Sequence, residues 1–287
     1  MTTLKRYCWY LLLTEINPNF EKIKPMRKTY LIMLMIGFIS ACSDKTDSER
    51  NGFTVNDSSP EEGISNITGI QSDTLNFRSR PNGILLTSDP QNILVPIYKL
   101  NARVRSEDTI YSTGGNSFHY SYSSYGTSKG NNWNYNYMPG FGAMFGHNLI
   151  NIQYHNTLSK KTTKFFKNPV LINTLYYPTD SKDTLNGKAV QRDYYMVSAY
   201  NEDTNSDGYI NTDDLRRFFL FNLDGTMNMQ LIPDGYSVNS SQYDPYNDYM
   251  YVYAAVDENV NGYQDDIEDV HVFWIDLKSP QKGARLY

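Results

Sequence analysis

The sequence predicts an all-β fold of repeated antiparallel sheets, and three observations carry that expectation. Apolar residues come in short runs of four to eight, β-branched or aromatic in character and bounded by Asn, Gly, Pro and Asp. No stretch sustains the i, i+3, i+4 spacing of an amphipathic helix over three turns. The last hundred residues hold an internal repeat, at 193–223 and 248–277, and each copy reads strand, acidic loop, strand.

In chain order, the first element is not part of that fold. Met26–Tyr30 is a short basic stretch, Leu31–Ile39 runs nine residues without a polar side chain, and Ile39-Ser40-Ala41-Cys42 closes it with small residues before a cysteine. This is the three-part grammar of a secretory signal, and the apolar run is too short to cross ~30 Å of hydrocarbon as a helix. Ile-Ser-Ala-Cys resembles the lipobox of bacterial lipoproteins, which implies cleavage before Cys42 and lipid on its sulfur. Residues 1–25 lie upstream of a complete signal and read as a misassigned start or an unusually long leader. The polar run Ser43–Arg50 is similar to the charged tether of Bacteroidetes-type (flavobacterial) lipoproteins, and that resemblance implies the outer membrane or cell surface. Residues 1–41 are thus expected as leader and 42–66 as a flexible tether poor in apolar surface. The folded domain is expected over 67–287. Cys8 falls in the leader and Cys42 is the acylated residue, so disulfides, thiolate metal sites and cysteine nucleophiles are excluded from the mature chain.

Within 67–287 the expected strands include Ile93–Leu100, Leu149–Tyr154, Thr163–Phe166, Val170–Tyr177, Tyr194–Tyr200, Arg217–Leu223, Tyr249–Val256 and His271–Leu277. Between them, 111–137 is dominated by Tyr, Ser, Gly and Asn. It reads as a long loop or as an adaptable contact surface for a glycan or protein partner, with Trp133, Tyr135 and Tyr137 as its candidate contacts. The repeat aligns Asp203 with Asp257, Gly208 with Gly262, Tyr209 with Tyr263 and Phe219 with Phe273 at a constant offset of 54. Its layout resembles a β-propeller blade. The chain is long enough for only four or five such sheets, which leaves a propeller-like arrangement incomplete.

The chemistry lies in the acidic loops. Asp203, Asn205 and Asp207 stand at positions 1, 3 and 5 of a twelve-residue loop, with Gly208 at 6, Tyr209 at 7, Ile210 at 8, Asn211 at 9 and Asp214 at 12. Calcium takes six to eight oxygens, and this spacing wraps them around one point, with glycine allowing the sharp turn and the Tyr209 carbonyl joining the set. The second loop places Asp257, Asn259 and Asn261 at 1, 3 and 5, the Tyr263 carbonyl at 7, Asp265 at 9 and Glu268 at 12. It has fewer early carboxylates, and Gln264 replaces the aliphatic position 8, so weaker binding is expected. Both loops resemble those of EF-hands, and the first is closer to dockerins, in which Asp closes the loop. Strands rather than helices flank them here, which points to structural calcium rather than a helix-opening switch.

Charge fits a cation and excludes nucleic acid. Residues 42–287 hold 20 basic and 29 acidic side chains, a net charge of −9, while 201–287 alone carry 16 acids against five bases. Nine of those 16 acids sit in the two loops. His119, His147, His155 and His271 are scattered without zinc or copper spacing, and magnesium demands a tighter octahedron. No nucleophile elbow or phosphate-cradling glycine loop is present. The expected protein is a lipid-anchored, calcium-stapled binding module of the envelope. A calcium-dependent propeller-type enzyme acting on polysaccharide is the alternative.

Overall fold

The computed structural model describes residues 52–54, 77–105, 108–112, 118–120, 138–179, 184–185, 187–265 and 267–287. Every regular element among them is a strand, and all pairing is antiparallel. The signal segment, Cys42 and the 121–137 stretch, with Trp133, Tyr135 and Tyr137, lie outside the described residues. No described helix is long and apolar enough to cross a membrane.

Among the described residues, three larger sheets carry most of the strands. The first holds Ser79–Pro81, Leu85–Leu86, Asn92–Lys99, Leu149–Asn156 and Thr162–Lys164. The central sheet runs in spatial order Met227–Gln230, Arg217–Asn222, Tyr194–Tyr200, Leu171–Pro178, Phe141–Phe145 and Phe118–Tyr120. The last is a simple meander of Tyr236–Asp244, Tyr249–Val256, Val270–Asp276 and Ala284–Arg285. Smaller two-stranded ribbons complete the set, and no ring of sheets closes among the described residues.

The cores explain the strand sequences. One face of the central sheet presents Leu175, Tyr177, Tyr195, Val197, Phe219 and Phe221, which form a buried cluster with Leu94, Ile152 and Tyr154 of the first sheet. Its opposite face presents Tyr176, Tyr194, Met196, Phe218 and Leu220 to Val238, Met250, Val252, Phe273 and Ile275 of the last sheet. The central sheet is therefore covered on both sides, and all seven residues of Tyr194–Tyr200 are buried. That is why the run YYMVSAY lacks the alternation of a one-faced strand. Each large apolar side chain so buried contributes roughly 1.5–3 kcal/mol. Phe165 and Phe166 follow a short strand rather than lying within it, and Phe165 stacks on Phe221 at 4.6 Å between ring centroids.

A buried ion pair ties the central and last sheets together. Arg192, just before Tyr194–Tyr200, meets Asp248 in a two-pronged contact of 2.7 and 3.0 Å, with both side chains 2 % exposed. The guanidinium also donates to the carbonyls of Pro139 and Leu277, and the Tyr194 and Tyr243 hydroxyls donate to Leu277 O and Asp248. Asp248 holds φ = 62°, a left-handed turn that Asp tolerates better than most residues.

One strand falls inside the segment expected as tether. Gly52–Thr54 pairs with Tyr209–Asn211, and Phe53 is buried beside Ile210, with Ile97, Ile150, Leu171 and Tyr200 in the same cluster. Phe53 supplies apolar area in a stretch otherwise dominated by polar residues, and its side chain is 6 % exposed.

Candidate functional site

The two acidic loops are hairpin connections at equivalent places in neighbouring sheets. The first joins Tyr194–Tyr200 to Arg217–Asn222, and the second joins Tyr249–Val256 to Val270–Asp276. Because those two sheets pack face to face, the loops emerge together and touch.

Each loop is ordered by its own side-chain oxygens, in the same way. The N–H of position 5 donates to the position 1 carboxylate at 3.1 Å in the first loop (Asp207 to Asp203) and 3.0 Å in the second (Asn261 to Asp257). The same N–H reaches the Asn at position 3 at 2.9 Å in both, from Asp207 to Asn205 and from Asn261 to Asn259. Gly208 and Gly262 donate to the second oxygen of position 1 at 3.0 Å in both. The Tyr209 and Tyr263 amides donate to position 5 at 2.9 and 2.8 Å. Position 4 is left-handed in each, Ser206 at 58° and Val260 at 54°, and the glycines follow at 87° and 74°. Short Asx side chains at alternate positions capture the amides two to five residues on, and this folds the chain into a tight coil.

The closing position is built similarly but finished differently. Asp214 accepts from the amides of Thr204, Asn205 and Asn211 and is fully buried, and burial pushes its carboxyl up against the pull of those donors. Glu268 accepts from the Asp265 amide at 3.1 Å, and its other carboxylate oxygen is buried near the Glu258 amide without a well-formed hydrogen bond. Burial pushes the Glu268 carboxyl up, and the nearby Asp257 and Asp265 add to the shift. Asp265 is drawn in by the side-chain amides of Asn259 and Asn261 at 3.2 and 2.8 Å. Asn211 turns its oxygen to the Asp213 amide at 2.6 Å. Among the described residues no three or more His, Cys, Asp or Glu side chains gather as a ready metal cluster. The carboxylates at positions 1, 5 and 12 of the first loop are instead occupied with backbone amides.

The loops meet through Thr204 and Gly262. The Thr204 hydroxyl donates to the Gly262 carbonyl at 2.6 Å, and a Cβ on Gly262 would stand 1.9 Å from the Thr204 carbonyl oxygen. Sequence spacing could not reveal this contact, since the two residues are 58 apart. The histidines do not converge. His147 is exposed, His155 meets Thr162, and His271 lies between Tyr236 and Arg285, while the His119 side chain lies outside the described residues.

Fold and loops together define an all-β protein with paired acidic hairpin loops. No protein-family model matches the chain, and no curated protein sequence matches it.

Proposed function

We propose that this chain is a lipid-anchored protein of the cell envelope, held at the outer membrane or cell surface through Cys42, whose β-domain is stapled by two structural calcium ions and acts as a binding module. On this reading the three stacked sheets are blades of an incomplete propeller-like arc. Trp133, Tyr135 and Tyr137 supply the partner contacts.

The observation that carries the calcium reading is the repeated hydrogen-bond lattice. Two segments that differ at most positions adopt the same coil, with oxygens at positions 1, 3, 5 and 12 held by the same amides. The Glu268 oxygen that lacks a well-formed hydrogen bond, beside Asp257 and Asp265, is supporting evidence, because a cation would satisfy it and relieve the repulsion. In the cation-bound loop the carboxylates would exchange some amide contacts for metal, within the reach of the same turns. Such sites in extracellular modules bind at ~10⁻⁴–10⁻³ M, in line with a structural role.

Calorimetric titration with calcium tests the reading. The expected stoichiometry is two ions per chain, falling to one in Asp203→Ala and in Asp257→Ala. In cells, Cys42→Ser should move the protein from the membrane to the soluble fraction. No heat of binding at millimolar calcium would refute the metal reading, and a membrane-bound Cys42→Ser protein would refute the anchor.

A further inference from the structure

We infer that the strand Gly52–Thr54 belongs to the first loop as its positioning strand, so that docking of this strand and cation binding at that loop strengthen each other. The inference rests on the calcium reading of the loop. The strand pairs Gly52 with Asn211, Phe53 with Ile210 and Thr54 with Tyr209, so it covers positions 7, 8 and 9, two of which supply calcium oxygens. Positions 1 to 6 are held by the loop's own side chains; at 209–211 the Tyr209 and Asn211 amides are likewise held by Asp207 and Asp214, and this strand adds a ladder partner. The corresponding residues of the second loop, Tyr263–Asp265, have no ladder partner among the described residues.

The docking is specific. Gly52 has φ = +124°, and a Cβ there would lie 2.2 Å from the Ile210 carbonyl oxygen, so only glycine permits this approach. Lys99 donates its ammonium to the Gly52 carbonyl and lies 5.5 Å from the centre of the Phe77 ring. The Phe77 ring in turn sits 5.4 Å from that of Phe53. Phe53 and Ile210 are buried in one cluster, so the strand is fixed by packing as well as by its ladder.

Coupling follows from ordering. With the strand docked, the backbone at 209–211 is held by the ladder as well as by Asp207 and Asp214 when the cation arrives, and less freedom is lost on binding. Linkage makes the effect reciprocal: the cation must then favour docking by the same factor. The segment that begins ten residues after Cys42 would thereby report whether the first loop is filled.

The test isolates the first loop by using Asp257→Ala as the parent. In a calcium titration, Gly52→Ala and Phe53→Ala should each weaken binding by about fivefold or more, within the usual range of such couplings. Gly83→Ala is the control, since Gly83 has a comparable φ of 80° but nothing within 4 Å, and it should leave affinity unchanged. In the unsubstituted chain, the amides of Phe53 and Thr54 should exchange with solvent at least fivefold more slowly in calcium than in chelator. Unchanged affinity in Gly52→Ala, or equal exchange in the two conditions, would overturn the inference while the calcium reading stands. Failure of the unsubstituted chain to bind calcium would overturn both.

Discussion

The two loops share a hydrogen-bond lattice but not a setting, and the contrast separates what is local from what is tertiary. The first loop is enclosed: Asp214 is fully buried, Ile210 packs into a cluster, and a strand from far upstream lies along its back. The second is open. Tyr263 is 39 % exposed, Val260 is 84 % exposed, and Gln264 at position 8 touches the Ser237 hydroxyl rather than a core. Their glycines differ in the reverse sense, for Gly208 faces open space whereas Gly262 is pressed against Thr204. Coil geometry follows from Asx and Gly spacing alone. Anchoring depends on what the sheets bring alongside.

The strongest way to break both loops at once is to cut the link between the sheets that carry them. Arg192→Ala leaves the Asp248 carboxylate buried without its partner, and should cost about 3–5 kcal/mol, read as a loss of denaturation midpoint. The cost should be the same with and without calcium, since the pair lies outside both loops. A loss confined to calcium-free protein would mean that the cation, not the ion pair, joins the sheets.

The glycines sharpen the comparison. Gly208→Ala should cost about 1–2 kcal/mol, the penalty of a left-handed residue with free space around it. Gly262→Ala should add roughly 1–3 kcal/mol to that, because its methyl group collides with the other loop. Urea denaturation in chelator measures both, and equal losses would show that the loops do not touch in solution.

A smaller effect should appear at Val260. A β-branched residue at φ = 54° is strained, and its exposed side chain contributes little packing in return. Val260→Gly should therefore stabilise the chain by about 1 kcal/mol, whereas Ser206→Gly in the first loop should gain less because Ser lacks the second branch. A lower melting temperature for Val260→Gly would mean that the valine packs against something in solution.

These contrasts show what could be read from the sequence. Strand content was legible because β-branched and aromatic runs end at turn formers, and the offset of 54 exposed the repeated hairpins. The turn at positions 5 to 7 of each loop follows from local spacing as well, since those amides are captured by side chains two to five residues back, whereas Asp214 reaches the Thr204 amide ten residues before it. Long-range partners were not. Arg192 and Asp248 lie 56 residues apart in a sequence with many Arg and Asp residues, and nothing in the spacing singles out the pair. Phe53 was hidden in a polar stretch, where a lone aromatic residue gives no periodic signal. Its burial depends on the cluster around Ile210, which only the assembled sheets create.

The central claim, that calcium staples these sheets, is tested most directly by a thermal melt of the purified chain in millimolar calcium and then in chelator. Binding stabilises the folded state by RT ln(1 + [Ca²⁺]/Kd), about 2.7 kcal/mol per site at a hundredfold excess over Kd. With both sites filled, the midpoint should rise by roughly 10 °C or more for a domain of this size. Asp203→Ala should remove the larger part of the rise and Asp257→Ala the smaller, and the rise should vanish when both are changed. Equal midpoints in calcium and chelator for the unsubstituted chain would contradict the account and leave the two loops as self-sufficient turns.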